Sequence, residues 1–301
     1  MCMENDFPGR ITIELTNSCN LNCSFCPRHL VSMDQGYMGE HLFRKILEES
    51  LMHLPIGLVL FFRGESLLHP QLPHFIQLAK ELGFGPIQLA SNGLLMEDGL
   101  ADQLLDSGLD FLSFSLDTLD GALYKESRKN GDLDRSIRNV VQFAERCRMR
   151  QSNGQTAPQI QVSTVDIPEY RNGQSGFIVF WLKHVDRVRV YVEHSSDGDL
   201  GSIRGANAAS QDRKPCKKVF TDVVINWNGD VGICNHDWDR KDELGNVNTQ
   251  SIASIWNSEK YREIREYHTE NRFPKGFLCS TCDHWQVFYA PEGIMGKVYT
   301  R

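Results

Sequence analysis

Seven of the nine cysteines in this 301-residue sequence fall into two groups near its opposite ends. The front group is Cys19, Cys23 and Cys26, and the rear group is Cys216, Cys234, Cys279 and Cys282. An odd cysteine count argues against a disulfide framework, and the clustering favours metal ligation. Three thiolates can hold three irons of a [4Fe–4S] cube and leave the fourth iron open to a small molecule.

The elements that must position the front group alternate between strand and helix patterns. Strand patterns cover residues 10–16, 56–62, 86–91, 110–116, 159–165 and 187–192, with helix patterns between them. Strands separated by helices pair in parallel through crossovers. The sequence therefore predicts an α/β fold, a partial (β/α)6 TIM-like barrel over residues 1–195. The carboxyl ends of its strands would bring the cysteine loop and the segments around Glu65, Asn92 and Asp117 to one rim.

The remaining residues, 196–301, are predicted to form a linker loop and a small second domain. Residues 194–214 are rich in Ser, Gly, Asp and Ala, which is typical of a linker or an active-site loop. Residues 219–226 and 230–234 flank Trp227-Asn228-Gly229 and predict a hairpin. Residues 251–268 predict one amphipathic helix with Ser251 as its N-cap.

The front motif, Cys-x3-Cys-x2-Cys with Phe25 before the last cysteine, resembles the signature of the radical S-adenosylmethionine (SAM) superfamily. Residues 62–70 resemble the Gly-Gly-Glu-Pro segment of that family, although Arg63 replaces the first Gly and Ser66 the Pro. The resemblance implies that SAM binds the open iron and is cleaved to methionine and a 5′-deoxyadenosyl radical, which abstracts a substrate hydrogen.

The same resemblance implies a set of residues that contact SAM. Glu65 could accept a charge-assisted hydrogen bond from its ammonium group. Ser115 and Asp117 match the ribose-contacting position, and Ser163 or Thr164 are further candidates for the ribose or carboxylate. The expected cofactor-binding set is Phe25, Gly64, Glu65, Ser115, Asp117 and Ser163.

The rear cysteines resemble the SPASM region of radical SAM enzymes, or its shortened twitch form. The full SPASM region carries seven cysteines and two auxiliary clusters, whereas this chain offers four. The resemblance therefore implies one auxiliary [4Fe–4S] cluster held by four thiolates and suited to electron transfer. Together the motifs imply two [4Fe–4S] clusters and SAM as cofactors.

The cysteine pattern and chain size most resemble the 2-deoxy-scyllo-inosamine dehydrogenases of aminoglycoside biosynthesis. This resemblance implies a radical SAM oxidoreductase that oxidises a secondary alcohol of an aminocyclitol or sugar. Arg204, in the linker loop, is the candidate catalytic residue that would orient or deprotonate the substrate. His194, His236 and His284 are further acid–base candidates.

Three other interpretations stay open. A radical SAM epimerase would need a thiol that returns a hydrogen atom, and Cys147 and Cys2 are the unassigned thiols. A peptide maturase would usually carry an additional peptide-recognition domain. A zinc-binding interaction module would use the rear cysteines, or the front ones with His29, as tetrahedral ligands.

Composition bears on partners and compartment. A formal net charge of −7 without a dense Lys/Arg run argues against nucleic acid as the main partner. We find no apolar run approaching the roughly 18 residues of a membrane span and no signal-peptide pattern, so a cytoplasmic protein is expected. The expected partners are a small-molecule substrate or a peptide, and a flavodoxin or ferredoxin as reductant.

Overall fold

A computed structural model describes residues 6–192, 213–238, 242–289 and 296–301. The strands are β1 (Arg10–Ile13), β2 (Asn22–Cys23), β3 (Gly57–Val59), β4 (Ile87–Ser91), β5 (Phe111–Ser115), β6 (Arg128–Lys129), β7 (Gln159–Asp166), β8 (Arg187–Val192), β9 (Asp222–Ile225), β10 (Val231–Gly232) and β11 (Gly296–Thr300). The α-helices are α1 (Glu40–Ser50), α2 (Leu72–Glu81), α3 (Asp98–Asp106), α4 (Gly121–Ser127), α5 (Leu133–Ser152), α6 (Pro168–Leu182), α7 (Lys218–Thr221), α8 (Ile252–Trp256), α9 (Glu259–Glu270) and α10 (Leu278–Thr281).

Six parallel strands form the centre of the sheet, in the spatial order β1-β3-β4-β5-β7-β8. Each is followed by a helix except β8, whose continuation lies outside the described residues. All six correspond to the predicted strands, with ends that differ by a few residues. The predicted partial (β/α)6 barrel is confirmed.

The two faces of this sheet differ in polarity. Alternate residues of the strands, such as Leu58 and Leu112, are fully buried and pack against the surrounding helices. The residues between them point into the barrel interior, because side chains alternate across a strand. The interior residues include Thr12, Glu14 and Gln161, all buried. A polar interior suits a barrel that holds a ligand rather than a packed core.

The C-terminal segments extend the same sheet at both edges. Strand β9 pairs in parallel with β1, and β10 returns beside β9 as the predicted hairpin. Strand β11 pairs antiparallel with β8 at the other edge. The sheet therefore has nine strands, and the segments that follow the barrel are hydrogen-bonded to both of its edges.

One prediction for the second region is wrong. Residues 251–268 form two helices rather than one, because the chain becomes extended at Ser258. Ser258 caps α9 by accepting from the Tyr261 amide, as Ser251 caps α8 through the Ser254 amide. The predicted domain boundary near residue 195 falls among residues 193–212, outside the described residues, and stays a prediction.

Within the described parts of the chain, the helices are all too short or too polar to cross a lipid bilayer.

Candidate functional site

The front cysteine loop follows β1 and is tied to a segment distant in sequence. Strand β2 pairs with β6, which places Cys23 opposite Arg128, and the Ser24 amide donates to the Ser127 carbonyl at 2.9 Å. All three front cysteines are partly buried and free of disulfide bonds. Burial raises the pKa of Cys19 to about 11 and also raises that of Cys23. The thiols must therefore lose protons when they bind iron.

Arg128 is a site residue that the sequence analysis missed. Its guanidinium is buried and donates to the Asp117 carboxylate at 2.6 and 2.7 Å. It also lies 4.0 Å from the Cys23 sulfur and 5.5 Å from the centroid of the Phe25 ring. Coulombic attraction to Arg128 lowers the pKa of Cys23, which partly offsets the effect of burial. A fixed positive charge beside the loop stabilises the thiolate that iron requires.

Asp117 is paired with Arg128 and does not cap the helix that follows it. Asp120 caps α4, by accepting from the amides of Ala122 and Leu123. Asp117 has a φ of 62°, an uncommon left-handed conformation for a residue other than glycine. This conformation turns its carboxylate toward Arg128. Its contact with the ribose of SAM stays a prediction.

Glu65 joins three strand-end loops. One carboxylate oxygen accepts from the Leu67 amide at 3.1 Å and the other from the Asn92 amide at 2.9 Å. The Asn92 side chain in turn donates to the Asn20 side chain in the cysteine loop at 2.9 Å. Burial raises the pKa of Glu65, while the two amides act in the opposite direction. The loops after β1, β3 and β4 therefore meet at one rim, as predicted, and the contact of Glu65 with SAM stays a prediction.

Gly64 lies where the loop after β3 crosses the loop after β1. A Cβ atom at this position would be 2.3 Å from the Thr16 carbonyl oxygen and 2.5 Å from that of Ser18. Both are backbone atoms, so neither can rotate away. Glycine is required here by the close approach of two backbones.

We expect Gly64→Ala to displace the cysteine loop and to lower the free energy of unfolding by about 1–3 kcal/mol, the usual effect of overpacking. Iron bound at the front site and SAM cleavage should fall together. The matched control is Gly99→Ala in α3, where a Cβ would meet no atom within 4 Å. Urea unfolding and iron analysis of both variants measure the effect, and equal behaviour of the two would contradict the steric argument.

Arg63, which departs from the family segment, occupies a fully buried network. Its guanidinium donates to both oxygens of Glu14, at 2.6 and 2.7 Å. It also donates to the Asn226 side chain at 2.9 Å and to the Trp238 carbonyl at 3.1 Å. One side chain thus connects the end of β1, the predicted SAM-binding segment after β3 and the region around Cys234.

Two of the remaining predicted SAM contacts, Ser115 and Ser163, lie at the carboxyl-terminal halves of β5 and β7 and face the barrel interior. Ser163 donates to the Phe114 carbonyl at 3.3 Å, and Thr164 donates to the Asp117 carbonyl at 2.6 Å. Ser115 lies opposite Ser163 in the ladder and is partly exposed. Phe25 is 47% exposed, so its ring is available to a ligand. Their contacts with SAM stay predictions.

The four rear cysteines line a common pocket. Cys216 precedes α7, Cys234 follows β10, and Cys279 and Cys282 lie in and after α10. In residues 6–192, 213–238, 242–289 and 296–301, no three His, Cys, Asp or Glu side chains form a group that could hold one metal ion. All four thiols line this one pocket, which offers four thiolates to a [4Fe–4S] cluster.

The rear pocket combines buried thiols with positive side chains. Burial raises the pKa of Cys216 to about 11 and of Cys234 to about 12. Lys218 and Arg213 also line the pocket, and their charges lower the pKa of Cys234 and Cys279 respectively. The donor set therefore fits a cluster whose binding displaces four protons and whose negative charge is partly balanced.

Several candidate site residues lie outside the part of the chain that the structure describes. Arg204 and His194 lie among residues 193–212, and Cys2 precedes the first described residue. Nothing is described for the side chain of His29. The other two candidate histidines both line the rear pocket, with ring centroids 4.1 Å apart, rather than the barrel interior. They are His236 and His284.

The partial barrel, the three-thiol loop and the four-thiol pocket define an iron–sulfur protein with two cluster sites. Family comparisons agree with this class. A model of the radical SAM superfamily matches residues 13–148, and a model of the SPASM iron–sulfur cluster-binding domain matches residues 216–283. The chain belongs to the radical SAM enzymes and carries a C-terminal SPASM domain. SAM and two [4Fe–4S] clusters are its cofactors.

Curated relatives match part of the chain or match it distantly. A probable GTP 3′,8-cyclase of Methanocaldococcus jannaschii is 33% identical over 132 residues, and the chain spans 43% of that relative's length. A tungsten-containing aldehyde ferredoxin oxidoreductase cofactor-modifying protein of Pyrococcus furiosus is 24% identical over 316 residues, covering 90% of this chain and 87% of the relative.

Solved structures share the fold across nearly the whole chain. BtrN, in complex with AdoMet and 2-DOIA, has a TM-score of 0.60 and 19% identity, covering 93% of this chain and 94% of BtrN. SuiB of Streptococcus suis, bound to its precursor peptide SuiA, has a TM-score of 0.70 and 16% identity, covering 96% of this chain and 74% of SuiB. These similarities confirm the partial barrel with its C-terminal extension.

Proposed function

We propose that this protein is a radical SAM dehydrogenase that oxidises a secondary alcohol of a sugar or aminocyclitol to a ketone. The observation that carries this proposal is the convergence of Cys216, Cys234, Cys279 and Cys282 on one pocket. Four thiolates leave no iron of a cube open to substrate. A closed cluster can still accept an electron, and a dehydrogenase needs an electron acceptor.

The proposed reaction balances as a two-electron oxidation. When bound, SAM and the front cluster supply a 5′-deoxyadenosyl radical, and the rear cluster supplies an electron acceptor. The alcohol loses the hydrogen atom on its carbinol carbon, one electron and the hydroxyl proton, and the C–O single bond becomes a double bond. A flavodoxin or ferredoxin is the proposed source of the electron that starts each cycle.

The chain's own residues hold and position these partners. The three front thiols hold the cluster, and Arg128 balances the charge beside Cys23. Glu65 fixes the loops that surround SAM. We retain Arg204 as the proposed group that orients or deprotonates the alcohol, on its sequence position alone.

Cys147 supports the dehydrogenase over the epimerase. It is the one described cysteine outside the two groups, it is 3% exposed, and it lies on α5 with the core between helix and sheet. A thiol in that position is separated from the barrel interior by the sheet. It is poorly placed to return a hydrogen atom to a substrate radical.

The comparisons support the proposal at the level of similar folds. BtrN was solved with 2-DOIA, a small molecule, and matches over nearly the full length of both chains. SuiB, the peptide-binding neighbour, is longer, since the aligned part covers 74% of it. Since BtrN has this fold and was solved with a small molecule, we favour a small alcohol over a peptide.

The test uses anaerobically reconstituted protein, dithionite, SAM and a panel of sugars and aminocyclitols deuterated at each carbinol carbon. Deuterium transferred into 5′-deoxyadenosine, with a product lighter by two hydrogens, supports the dehydrogenase. A product isomeric with the substrate, in which hydrogen from solvent has replaced the carbinol deuterium, would identify an epimerase instead. Modification of a peptide with no alcohol oxidised would also refute the proposal.

The rear cluster should be needed for oxidation but not for SAM cleavage. We expect Cys279→Ala/Cys282→Ala to keep producing 5′-deoxyadenosine while ketone formation falls at least about 100-fold, equivalent to about 2.7 kcal/mol in the barrier. Cys147→Ala is the matched control and should retain both activities. Circular dichroism checks that the double variant is folded. Ketone formation at the wild-type rate in that variant would rule out the electron-acceptor role.

A further inference from the structure

Two arginines on the last barrel strand point into the barrel interior. On β8, Val188 and Val190 are 0% and 6% exposed, and α6 covers their face of the sheet. Arg187 and Arg189 alternate with these valines, so their side chains lie on the opposite, interior face. Both arginines are half-buried.

Their neighbours across the ladder are polar residues of the interior. Arg187 is directly opposite Gln161 on β7, and Arg189 is opposite Ser163. The next strand, β5, places Ser113 opposite Gln161. The two guanidinium groups therefore share the interior face with the serine positions that are the predicted SAM contacts. They also extend that polar surface to the far edge of the barrel.

Burial lowers the pKa of Arg187, and the charge of the preceding Asp186 only partly offsets that effect. Among the residues that the structure describes, no carboxylate forms an ion pair with Arg187 or Arg189, and the Nε atom of each is buried without a hydrogen-bond partner. Their contacts are with aromatic faces, 4.5 Å from the Phe111 centroid for Arg187 and 4.5 Å from the Tyr191 centroid for Arg189.

The two fully buried arginines of the barrel differ from this pair because they have ion-pair partners. Arg63 and Arg128 are each paired with a buried carboxylate. Two positive charges on adjacent interior positions repel each other, and burial of unpaired charge is unfavourable. Such a pair is best explained by a negative partner that arrives with a ligand.

A buried acceptor near these donors is also unsatisfied. The Gln161 side chain donates to the Ser113 hydroxyl at 2.9 Å, but its Oε1 atom has no partner. Buried polar groups are usually hydrogen-bonded, so an unsatisfied acceptor and two unsatisfied donors on one face indicate a ligand site. A hydroxyl beside an acidic group would satisfy all three.

We propose that Arg187 and Arg189 bind an anionic group of the substrate, a carboxylate or a phosphate. This assignment rests on the proposed function and narrows its substrate class. The planar guanidinium matches the oxygens of either anion in a bidentate arrangement. An anion site of this kind favours an acidic or phosphorylated sugar as substrate. It disfavours an aminocyclitol, because the two arginines would repel the ammonium groups of that substrate.

The carboxylate of SAM has the same chemistry and must be distinguished from a substrate anion. Arg128 lies beside the front cluster ligands, 4.0 Å from the Cys23 sulfur. Strand β8 is five positions from β1 in the sheet, at its far side. We therefore assign the β8 arginines to the substrate.

The test measures binding of inorganic phosphate to the reconstituted, SAM-loaded protein by isothermal titration. Arg187→Gln/Arg189→Gln should bind phosphate at least about tenfold more weakly, a loss of about 1.4 kcal/mol. Binding and reductive cleavage of SAM should stay within about twofold of the wild type. Arg146→Gln, on the outer surface of α5 where it pairs with Asp98 and Asp102, is the matched control and should change neither.

Three other outcomes would overturn the assignment. Equal phosphate affinity in the wild type and the double variant, including no binding to either, removes the anion site. Loss of SAM binding in the double variant would mean that the two arginines bind the carboxylate of SAM and not a substrate anion. A neutral alcohol that both proteins oxidise equally refutes the anion site and leaves the dehydrogenase intact. Phosphate binding lost in the variant, with no alcohol oxidised by the wild type, supports the anion site and refutes the dehydrogenase.

Discussion

Replacing the three front cysteines with alanine should abolish SAM cleavage while half of the iron remains. The wild-type protein, reconstituted anaerobically, should hold about eight irons and the triple variant about four, since each cube contains four. The rear thiols lie before α7, after β10, and in and after α10, so they belong to other parts of the chain than the front loop. No 5′-deoxyadenosine should form above the rate seen without protein, because no iron is left for SAM to bind.

The control for this variant is Cys147→Ala, which makes the same chemical change on α5. Its iron content and SAM cleavage should equal those of the wild type, with a modest loss of stability from the small cavity. Iron analysis, the visible absorption of the clusters and chromatography of 5′-deoxyadenosine are the measurements. Eight irons retained by the triple variant would show that the front cysteines are not ligands.

Arg63→Met should lower the free energy of unfolding more than Gly64→Ala or Cys147→Ala does. It leaves the Glu14 carboxylate buried without its partner, with both side chains fully inaccessible to solvent. Removal of one member of a buried ion pair typically lowers the free energy of unfolding by about 3–5 kcal/mol. The Asn226 side chain and the Trp238 carbonyl would each lose a donor too, so iron bound at the rear site should decrease.

Two comparison variants make this prediction specific. Arg44→Met removes the same charge from a solvent-exposed helical pair with Glu40, where ion pairs contribute little to stability. Glu14→Met/Arg63→Met removes both buried charges and should recover at least half of the loss. Midpoints of urea unfolding under anaerobic conditions measure all three. A similar midpoint for Arg63→Met and Arg44→Met would mean that the buried network contributes little.

The cysteine groups and the barrel strands could be predicted because their signals are local. Thiols at fixed spacing and apolar runs between polar segments depend only on neighbouring residues. The break between α8 and α9 was also visible in principle, since Ser258 followed by Glu259 is a typical helix start. The long apolar stripe of residues 251–268 concealed it.

The electrostatic partners of the site could not be predicted, because they meet across long stretches of chain. Arg128 and Cys23 are separated by 105 positions, and Arg63 and Asn226 by 163. Glu14 alternates with apolar neighbours, a pattern typical of a strand with one solvent-exposed face, yet it is 0% exposed. The departure of Arg63 from the family segment is explained only when Glu14 is found beside it.

The parallel pairing of β9 with β1 has a consequence for synthesis on the ribosome. Arg10 and its partner Asp222 are separated by 212 positions, so β1 lacks one neighbour until most of the chain has been made. At about 5–20 residues per second, the interval is roughly 10–40 seconds. During that time the nascent chain exposes an unpaired strand edge, which is prone to pair with other chains. We therefore expect that expression of the protein depends on chaperones that cover this edge, even before either cluster is inserted.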